Sequence, residues 1–219
     1  MGKVTRATKK KLLPRGRPKA FDPAKVLDAA LRVFWEKGYE GTSLADLTAA
    51  MRISKPSLYA TFGDKATLFR KVVDHYMRQQ SGVWDEAFRL PTAQGSIARI
   101  LTSVADALTN GKNPHGCLLV QAALSCGEDA DCIKGELAAK RAESETLMRT
   151  RLLRGQANGE IPPKVDVAAL SRFFSTILRG MSVEASGGAT RAQLQTVIDL
   201  AMKAWPDSAR QTTALPAEV

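Results

Sequence analysis

Residues 42–64, which read TSLADLTAAMRISKPSLYATFGD, contain two short helical patterns separated by a tight break. Ser43 precedes the first pattern and can cap it, with Asp46 three residues later completing an imperfect capping box. Ser54 can cap the second pattern, and Pro56 falls in its first turn, where the missing N–H breaks no hydrogen bond. Two helices joined by about three residues are typical of a DNA-binding helix-turn-helix, although any two short helices of an all-α domain could share this pattern.

The formal net charge of +10 is distributed unevenly along the 219 residues. Residues 1–80 contain 17 Lys and Arg against 7 Asp and Glu, whereas residues 81–219 contain 15 of each kind. The whole positive excess therefore lies in the part that holds the helix-turn-helix. A basic module joined to a neutral one favours a polyanion-binding head on a body with another task.

Residues 1–20 carry eight basic side chains and no acidic one, and proline and glycine interrupt any regular structure there. We therefore predict a flexible basic arm over residues 1–19. In front of a DNA-binding head, such an arm can lie along phosphates or enter a minor groove, where Arg15 and Arg17 would meet a concentrated negative potential. The alternative is a solvated tail without a partner.

Every strong pattern along the chain is helical, so the sequence predicts an all-α protein of about nine helices. Residues 20–80 form a head of about four helices, with the helix-turn-helix at 43–62 and a small core of its own. The body over residues 81–206 carries the remaining helices, and residues 207–219 form a loose tail. The longest body pattern, at 131–156, has its predicted apolar side at Leu137, Leu147, Leu152 and Leu153.

Three runs in the head match a known family: FWEKGYEGTS at 34–43, ISKPSLYATF at 53–62 and DKATLF at 64–69. Together they resemble the TetR/AcrR family of transcriptional regulators, and the body is similar in helix count and layout. The resemblance implies an all-helical homodimer, usually a repressor. It also implies that a ligand in the body changes the spacing of the two DNA-binding heads.

The resemblance and the helix geometry together assign roles within the head. The second helix becomes the recognition helix for the major groove, where Lys55 can donate to guanine. Thr42 and Ser43 stand at the start of a helix, where their hydroxyls and the free backbone N–H groups can bind a phosphate. Lys65 resembles the family's phosphate clamp. The predicted DNA contacts are Arg15, Arg17, Thr42, Ser43, Lys55, Pro56, Ser57, Tyr59, Ala60, Thr61 and Lys65.

The patterns at 165–186 and 190–205 have wide apolar faces that need covering. The body itself can bury part of them, and pairing with a twofold copy would complete a four-helix bundle, as the resemblance implies. Two heads on a twofold axis imply a palindromic operator. The predicted dimer interface is Phe174, Ile177, Leu178, Met181, Leu194, Val197, Ile198 and Met202.

A ligand cavity between the body helices is expected, although the sequence gives no sharp pocket. The candidate lining is Trp84, Phe88, His115, Cys117, Phe173 and Phe174, and such residues are more often core. Cys117 begins a predicted helix, whose dipole favours a thiolate, and Cys126 and Cys132 lie nearby in sequence. A thiol switch is therefore an alternative to cysteines without a functional role. With only two histidines in the chain, the sequence gives little support for a metal site.

The sequence thus predicts a sequence-specific repressor that a small-molecule effector releases from its operator, without a cofactor or a bound metal. One alternative is a thiol- or electrophile-responsive repressor that uses Cys117. Another is an architectural DNA-binding protein without a ligand. An enzyme is disfavoured because no phosphate-binding glycine loop, nucleophile elbow or paired histidine motif is present. Three cysteines, no apolar run of membrane-spanning length and no secretory signal predict a reduced, cytoplasmic setting.

Overall fold

The computed structural model describes residues 22–111, 113–124 and 131–206, which form nine α-helices and no strand. This confirms the predicted all-α architecture. The basic arm with Arg15 and Arg17, Cys126 and the tail over 207–219 lie outside the described residues. The helices are α1 (Pro23–Lys37), α2 (Leu44–Met51), α3 (Lys55–Phe62), α4 (Lys65–Phe88), α5 (Ala93–Thr109), α6 (Leu118–Leu124), α7 (Asp131–Ala157), α8 (Val167–Ser186) and α9 (Arg191–Lys203).

Short polar side chains cap the first turns of most helices, as their spacing predicts. The capping box of α2 is complete, because the Ser43 hydroxyl accepts the Asp46 N–H at 3.1 Å and the Asp46 carboxylate accepts the Ser43 N–H at 3.0 Å. Each such cap stabilises its helix by about 1 kcal/mol. The other residues whose side chains cap a helix are Asp22, Ser54, Asp64, Thr92, Asp166 and Thr190.

The first hydrophobic core joins α1, α2, α3 and the first half of α4. Phe34 is fully buried and meets Phe69 edge to face, with ring centroids 5.0 Å apart. This core also contains Leu118 and Leu119 of α6 and Ile133 of α7. The expectation that the head has a core of its own is therefore wrong, because apolar faces of α1 and α4 are covered by helices of the body.

The second core lies between α5, α7, α8 and α9 and includes Ile97, Met148, Leu152 and Phe174. On α7, Leu137 and Leu152 are buried as predicted. Leu147 and Leu153 are 51% and 50% exposed, so their predicted place on the apolar side is wrong. The row of buried residues on α7 is therefore narrower than the four leucines predicted.

The long helix α4 connects the two cores. It has 24 residues, a length of about 36 Å, and it runs past the domain boundary predicted at residue 80. Its first half belongs to the first core, whereas Trp84 near its end packs against the second. Arg70 of α4 also holds Glu136 of α7 with both Nε and Nη2, at 2.8–3.0 Å. Head and body therefore share one rigid element.

The turn between α1 and α2 offers a test of close packing. A Cβ added at Gly41 would overlap the backbone carbonyl oxygen of Lys37, whereas a Cβ at Gly82 on α4 meets nothing within 4 Å. We expect Gly41→Ala to lower the free energy of unfolding by about 1–3 kcal/mol, because backbone must shift. Gly82→Ala is the matched control and should raise it by about 0.5–1 kcal/mol through helix propensity. Chemical denaturation measures both, and equal effects of the two changes would contradict the packing described.

Candidate DNA interface and effector cavity

Helices α2 and α3 are joined by a sharp three-residue turn, Arg52–Ser54. Arg52 has a left-handed backbone with φ 53°, and its N–H donates to the carbonyl of Ala49 at 3.3 Å. The N–H of Ile53 donates to the carbonyl of Thr48 at 3.2 Å, which closes the end of α2. The chain thereby passes from α2 to α3 within three residues, and the buried side chains of both helices lie in the first core.

One face of α3 is exposed, and we call its exposed side chains the recognition face: Lys55, Pro56, Tyr59, Ala60 and Thr61. Tyr59 is 46% exposed despite its size. Ser57, which was predicted to belong to this set, is half-buried, and its backbone N–H and hydroxyl are both within 3.3 Å of the Ser54 hydroxyl. The face thus combines one cation, one phenol and small apolar surface on a single short helix.

Thr42 does not offer its hydroxyl to a phosphate, in contrast to the prediction. Its side chain is 1% exposed, and Oγ1 donates to the carbonyl oxygen of Gly38 at 2.6 Å. This bond ties the start of α2 to the end of α1. The hydroxyl is therefore a structural group, and the prediction that it meets DNA is wrong.

Ser43 stays exposed, but Asp46 occupies its polar groups. The Ser43 hydroxyl lies 2.7 Å from Asp46 Oδ2, and Lys37 Nζ lies 2.6 Å from Asp46 Oδ1. The Lys37 ammonium and the Ser43 groups hold the pKa of the Asp46 carboxyl well below its ordinary value. The amino end of α2 therefore already carries its own anion, which leaves less room for a phosphate than predicted.

Lys65 stands at the first residue of α4, beside the recognition helix. Its ammonium lies 4.6 Å from the centroid of the Tyr39 ring and 3.5 Å from the carbonyl oxygen of Glu40. Partial burial lowers the pKa of Lys65, and Glu40 partly opposes that effect. The cation is thus held in one place at the edge of the head instead of moving freely in solvent.

A cavity of about 250 Å³ lies among α1, α4, α5, α6, α7 and α8. Three of the predicted lining residues, Trp84, Phe88 and Cys117, do line it. The other three do not. His115 is exposed in the loop before α6, Phe173 is 38% exposed on α8, and Phe174 is buried in the second core against Trp205. Those three predictions are wrong because residue type alone does not tell whether a position on a helix or in a loop faces the cavity.

Much of the cavity wall consists of residues that the sequence did not single out. These include Trp35 and Tyr76 of the first core and two arginines, Arg141 and Arg179. They come from four different helices, so no spacing in the sequence links them. Leu178, predicted at a dimer interface, lines the cavity as well.

The residues before α6 join three helices at one point. The Tyr76 hydroxyl donates to Cys117 Sγ at 3.3 Å, the Cys117 N–H donates to the Ser182 hydroxyl at 2.7 Å, and Trp35 Nε1 donates to the Gly116 carbonyl at 3.1 Å. Burial raises the pKa of Tyr76, and the Cys117 thiol adds to that shift, so the phenol stays protonated. Gly116 has φ +87°, and a Cβ there would lie 2.7 Å from Gln121 Nε2. A side chain at 116 would therefore disturb this junction.

Half of the predicted dimer residues are buried inside the chain itself. Phe174, Met181, Leu194 and Ile198 are at most 2% exposed and belong to the second core, so their assignment to an interface is wrong. Ile177 and Met202 are half-buried. The apolar side chains that do remain exposed on these helices form what we call the α8–α9 face: Phe173, Val183, Val197 and Leu200.

Comparisons with known proteins agree with this geometry. The model of bacterial regulatory proteins of the tetR family matches residues 26–72, and the tetracyclin repressor-like C-terminal domain matches residues 94–201. The HTH-type transcriptional repressor ComR of Escherichia coli (strain K12) is 34% identical over 195 residues, which cover 88% of this chain and 93% of ComR. The repressor BdcR of the same organism is 28% identical over 190 residues, or 85% of this chain and 90% of BdcR.

A solved structure extends the likeness to three dimensions. The TetR family regulator CifR, as a cysteine mutant complexed with 26 bp double-strand operator DNA, is 40% identical to this chain with a TM-score of 0.84. The match covers 87% of this chain and 100% of that one. The fold and its relatives together define a helix-turn-helix transcription regulator and not an enzyme.

The chain belongs to the TetR family, on the strength of both family models and of the repressors it resembles along most of its length. Within residues 22–111, 113–124 and 131–206, no helix combines the length and the apolar character needed to cross a bilayer. The same residues bring no three His, Cys, Asp or Glu side chains together as a metal site.

Proposed function

We propose that this regulator represses transcription from the cytoplasm by binding a palindromic operator as a homodimer, and that a small molecule in the cavity releases it. The observation that carries the proposal is the exposed recognition face on α3, presented by a head that holds the whole positive excess of the chain. The likeness to CifR, which was solved on operator DNA, supports the same use of this surface.

On DNA, the recognition face enters the major groove. Lys55 donates to base edges, while Tyr59 contacts phosphate or a thymine methyl, and Pro56, Ala60 and Thr61 provide close apolar and hydroxyl contacts. Lys65 neutralises a phosphate beside the groove. Arg15 and Arg17 of the arm add minor-groove contacts, as the sequence predicts.

The cavity can act on the head through residues that belong to both. Trp35 and Tyr76 line the cavity and also pack in the first core, where their rings meet at 81° with centroids 5.1 Å apart. A ligand that moves either ring therefore moves α1 or α4 under the helix-turn-helix. The presence of such a cavity argues against the alternative of an architectural protein with a fully packed body.

The DNA-binding face is tested by removing its phenol and the adjacent cation together. We expect Tyr59→Ala with Lys65→Ala to weaken operator binding by about 100-fold or more, because a base-edge or backbone contact and a phosphate contact are both lost. The operator is first selected from a random DNA pool, and gel shifts at several salt concentrations then measure the affinity. Loss of the Lys65 phosphate contact should also lower the slope of log affinity against log salt by about 1.

The control is a double variant that removes two positive charges away from the head, one more than Tyr59→Ala with Lys65→Ala removes. Arg149→Ala with Lys164→Ala removes two exposed cations of the body that contact no acidic group in the described part of the chain. If this control lost as much affinity as the double head variant, the assignment of the recognition face would be wrong.

We propose that the α8–α9 face forms the dimer interface. It leaves large apolar side chains in solvent, with Leu200 58% and Val183 44% exposed, which a twofold copy would cover. Half-buried Ile177 and Met202 border it. A four-helix bundle of two such pairs would place the heads about one helical turn of DNA apart, near 34 Å, or further.

The interface is tested by placing a charge at its most exposed residue. We expect light scattering to give twice the 23.7 kDa chain mass for the wild type and a mass close to 23.7 kDa for Leu200→Glu, because a buried unpaired carboxylate opposes association. Leu153→Glu is the matched control, since Leu153 is similarly exposed but lies on α7. A monomeric wild type, or a dimeric Leu200→Glu, would rule out this interface.

A thiol-responsive mode is a second candidate, favoured by the placement of Cys117 in the cavity wall with the Tyr76 hydroxyl donating to its sulfur. A hydrogen bond to sulfur fixes the orientation of the thiol in the cavity wall. An adduct on Cys117 would also occupy the cavity and displace Tyr76.

Treatment with N-ethylmaleimide, followed by gel shift and mass spectrometry, tests this mode. We expect modification of Cys117 and loss of operator binding by at least about tenfold, with Cys117→Ser resistant. Cys132 is exposed and serves as the internal control, so Cys132→Ser should stay sensitive. Modified Cys117 without loss of operator binding would exclude the thiol mode while leaving release by a reversible ligand intact.

A further inference from the structure

Two guanidinium groups line the cavity, whose other lining residues are mostly aromatic, aliphatic and small polar side chains. Arg141 comes from α7 and Arg179 from α8, and both are half-buried. The rings of Trp35, Trp84 and Phe88 line the same cavity. Cations are uncommon in an apolar pocket unless something compensates their charge.

Arg141 has no acidic partner in the part of the chain that the structure describes. Its Nη1 donates to the carbonyl oxygen of Leu119 at 2.7 Å, and none of the described carboxylates lies within 4.0 Å of it. Burial lowers the pKa of Arg141, and the positive charge of Arg179 lowers it further. An arginine carries five N–H donors, so donors remain for a ligand.

Arg179 shares its acidic partner with another arginine. Its Nη2 lies 3.6 Å from Glu145 Oε2, while the other oxygen of Glu145 accepts a hydrogen bond from Arg172 at 2.9 Å. Glu145 does not line the cavity, and Asp85, exposed on α4, is the one carboxylate among the described lining residues. Among the described lining residues, Arg141 and Arg179 therefore outnumber Asp85 by one charge, and Glu145 outside the lining balances Arg179 only in part because Arg172 shares it.

We propose that the cavity takes a small carboxylic acid with an aromatic or otherwise apolar body, whose carboxylate lies between Arg141 and Arg179. The proposal rests on the proposed function, in which this cavity is the effector site, and it gives that effector a chemical class. A planar carboxylate matches the fork of a guanidinium with two parallel hydrogen bonds, and the rings of Trp35 and Trp84 would cover the apolar body.

Size and charge together exclude other classes of ligand. The volume of about 250 Å³ is just below the range of about 300–1,000 Å³ typical of drug-sized ligands, so the acid is small. A cationic ligand would meet two like charges in a region of low dielectric. A neutral ligand would bring no anion to Arg141 and would leave Arg179 with Glu145, which Arg172 shares, so it forfeits the strongest interaction that the cavity offers.

Isothermal titration calorimetry on the full chain tests the proposal with matched probes. The acids are 4-phenylbutanoate, 3-indolepropanoate and octanoate, each compared with its primary amide, and 4-phenylbutylamine is the cationic probe. We expect an aromatic acid to bind at least about tenfold more tightly than its amide, because the charge-assisted hydrogen bonds are lost with the charge. The amine should not bind.

Three variants distinguish the contribution of each cavity arginine to acid binding from the general effect of losing one positive charge. Arg179→Gln and Arg141→Gln should each weaken binding of the acid by about tenfold, while the affinity for the amide reports that the cavity is intact. Arg149→Gln removes an exposed cation of α7 outside the cavity and should leave the acid affinity unchanged. If Arg141→Gln fails to fold because the hydrogen bond from Arg141 to the Leu119 carbonyl of α6 is lost, Arg141→Lys keeps the charge without the fork, and Arg179→Gln decides alone.

The proposal is overturned if no acid of the panel binds, if an amide binds as tightly as its acid, or if Arg179→Gln and Arg149→Gln behave alike. A gel shift with the selected operator distinguishes failure of the carboxylate proposal from failure of the proposed function. Release of the operator by a neutral or cationic compound would overturn the carboxylate proposal and leave effector control standing. Acid binding without release would support the ligand class and contradict effector control.

Discussion

The structure depends on the packing of α1 and α4 against α6. The head cannot bury its apolar residues with α1, α2 and α3 alone, so Leu118, Leu119 and Ile133 of the body complete its core. The same contact brings the loop before α6 under Trp35 and Tyr76, which donate to Gly116 and Cys117. Because a single packed layer supports the recognition helix on one side and closes a cavity on the other, the two cannot change independently.

The features that the sequence predicts correctly are those that neighbouring residues determine. The caps at Ser43, Ser54 and Asp64 and the turn between α2 and α3 follow from short-range chemistry, and the structure has them where the pattern indicates. The exposed side of α3 also follows, because Leu58 and Phe62 leave only one inward face.

The sequence does not tell which other part of the chain packs against each face of a helix. Thr42 is a good phosphate ligand by type, yet the close approach of Gly38 takes its hydroxyl. Phe174 and Phe173 are neighbours with the same side chain, yet Phe174 is buried against Trp205 and Phe173 is exposed. Which side of α8 is covered depends on the helices packed around it. The pair of arginines in the cavity depends on the register of α7 against α8, which no spacing within either helix reveals.

The placement of the tryptophans has a practical consequence. The chain has three, and two of them, Trp35 and Trp84, line the cavity, while the third is buried in the second core. Trp35 also stacks edge to face on Tyr76, with centroids 5.1 Å apart. The molecule thus carries an intrinsic fluorophore at the point where cavity and head meet, so its own emission reports on that junction in solution without an attached dye.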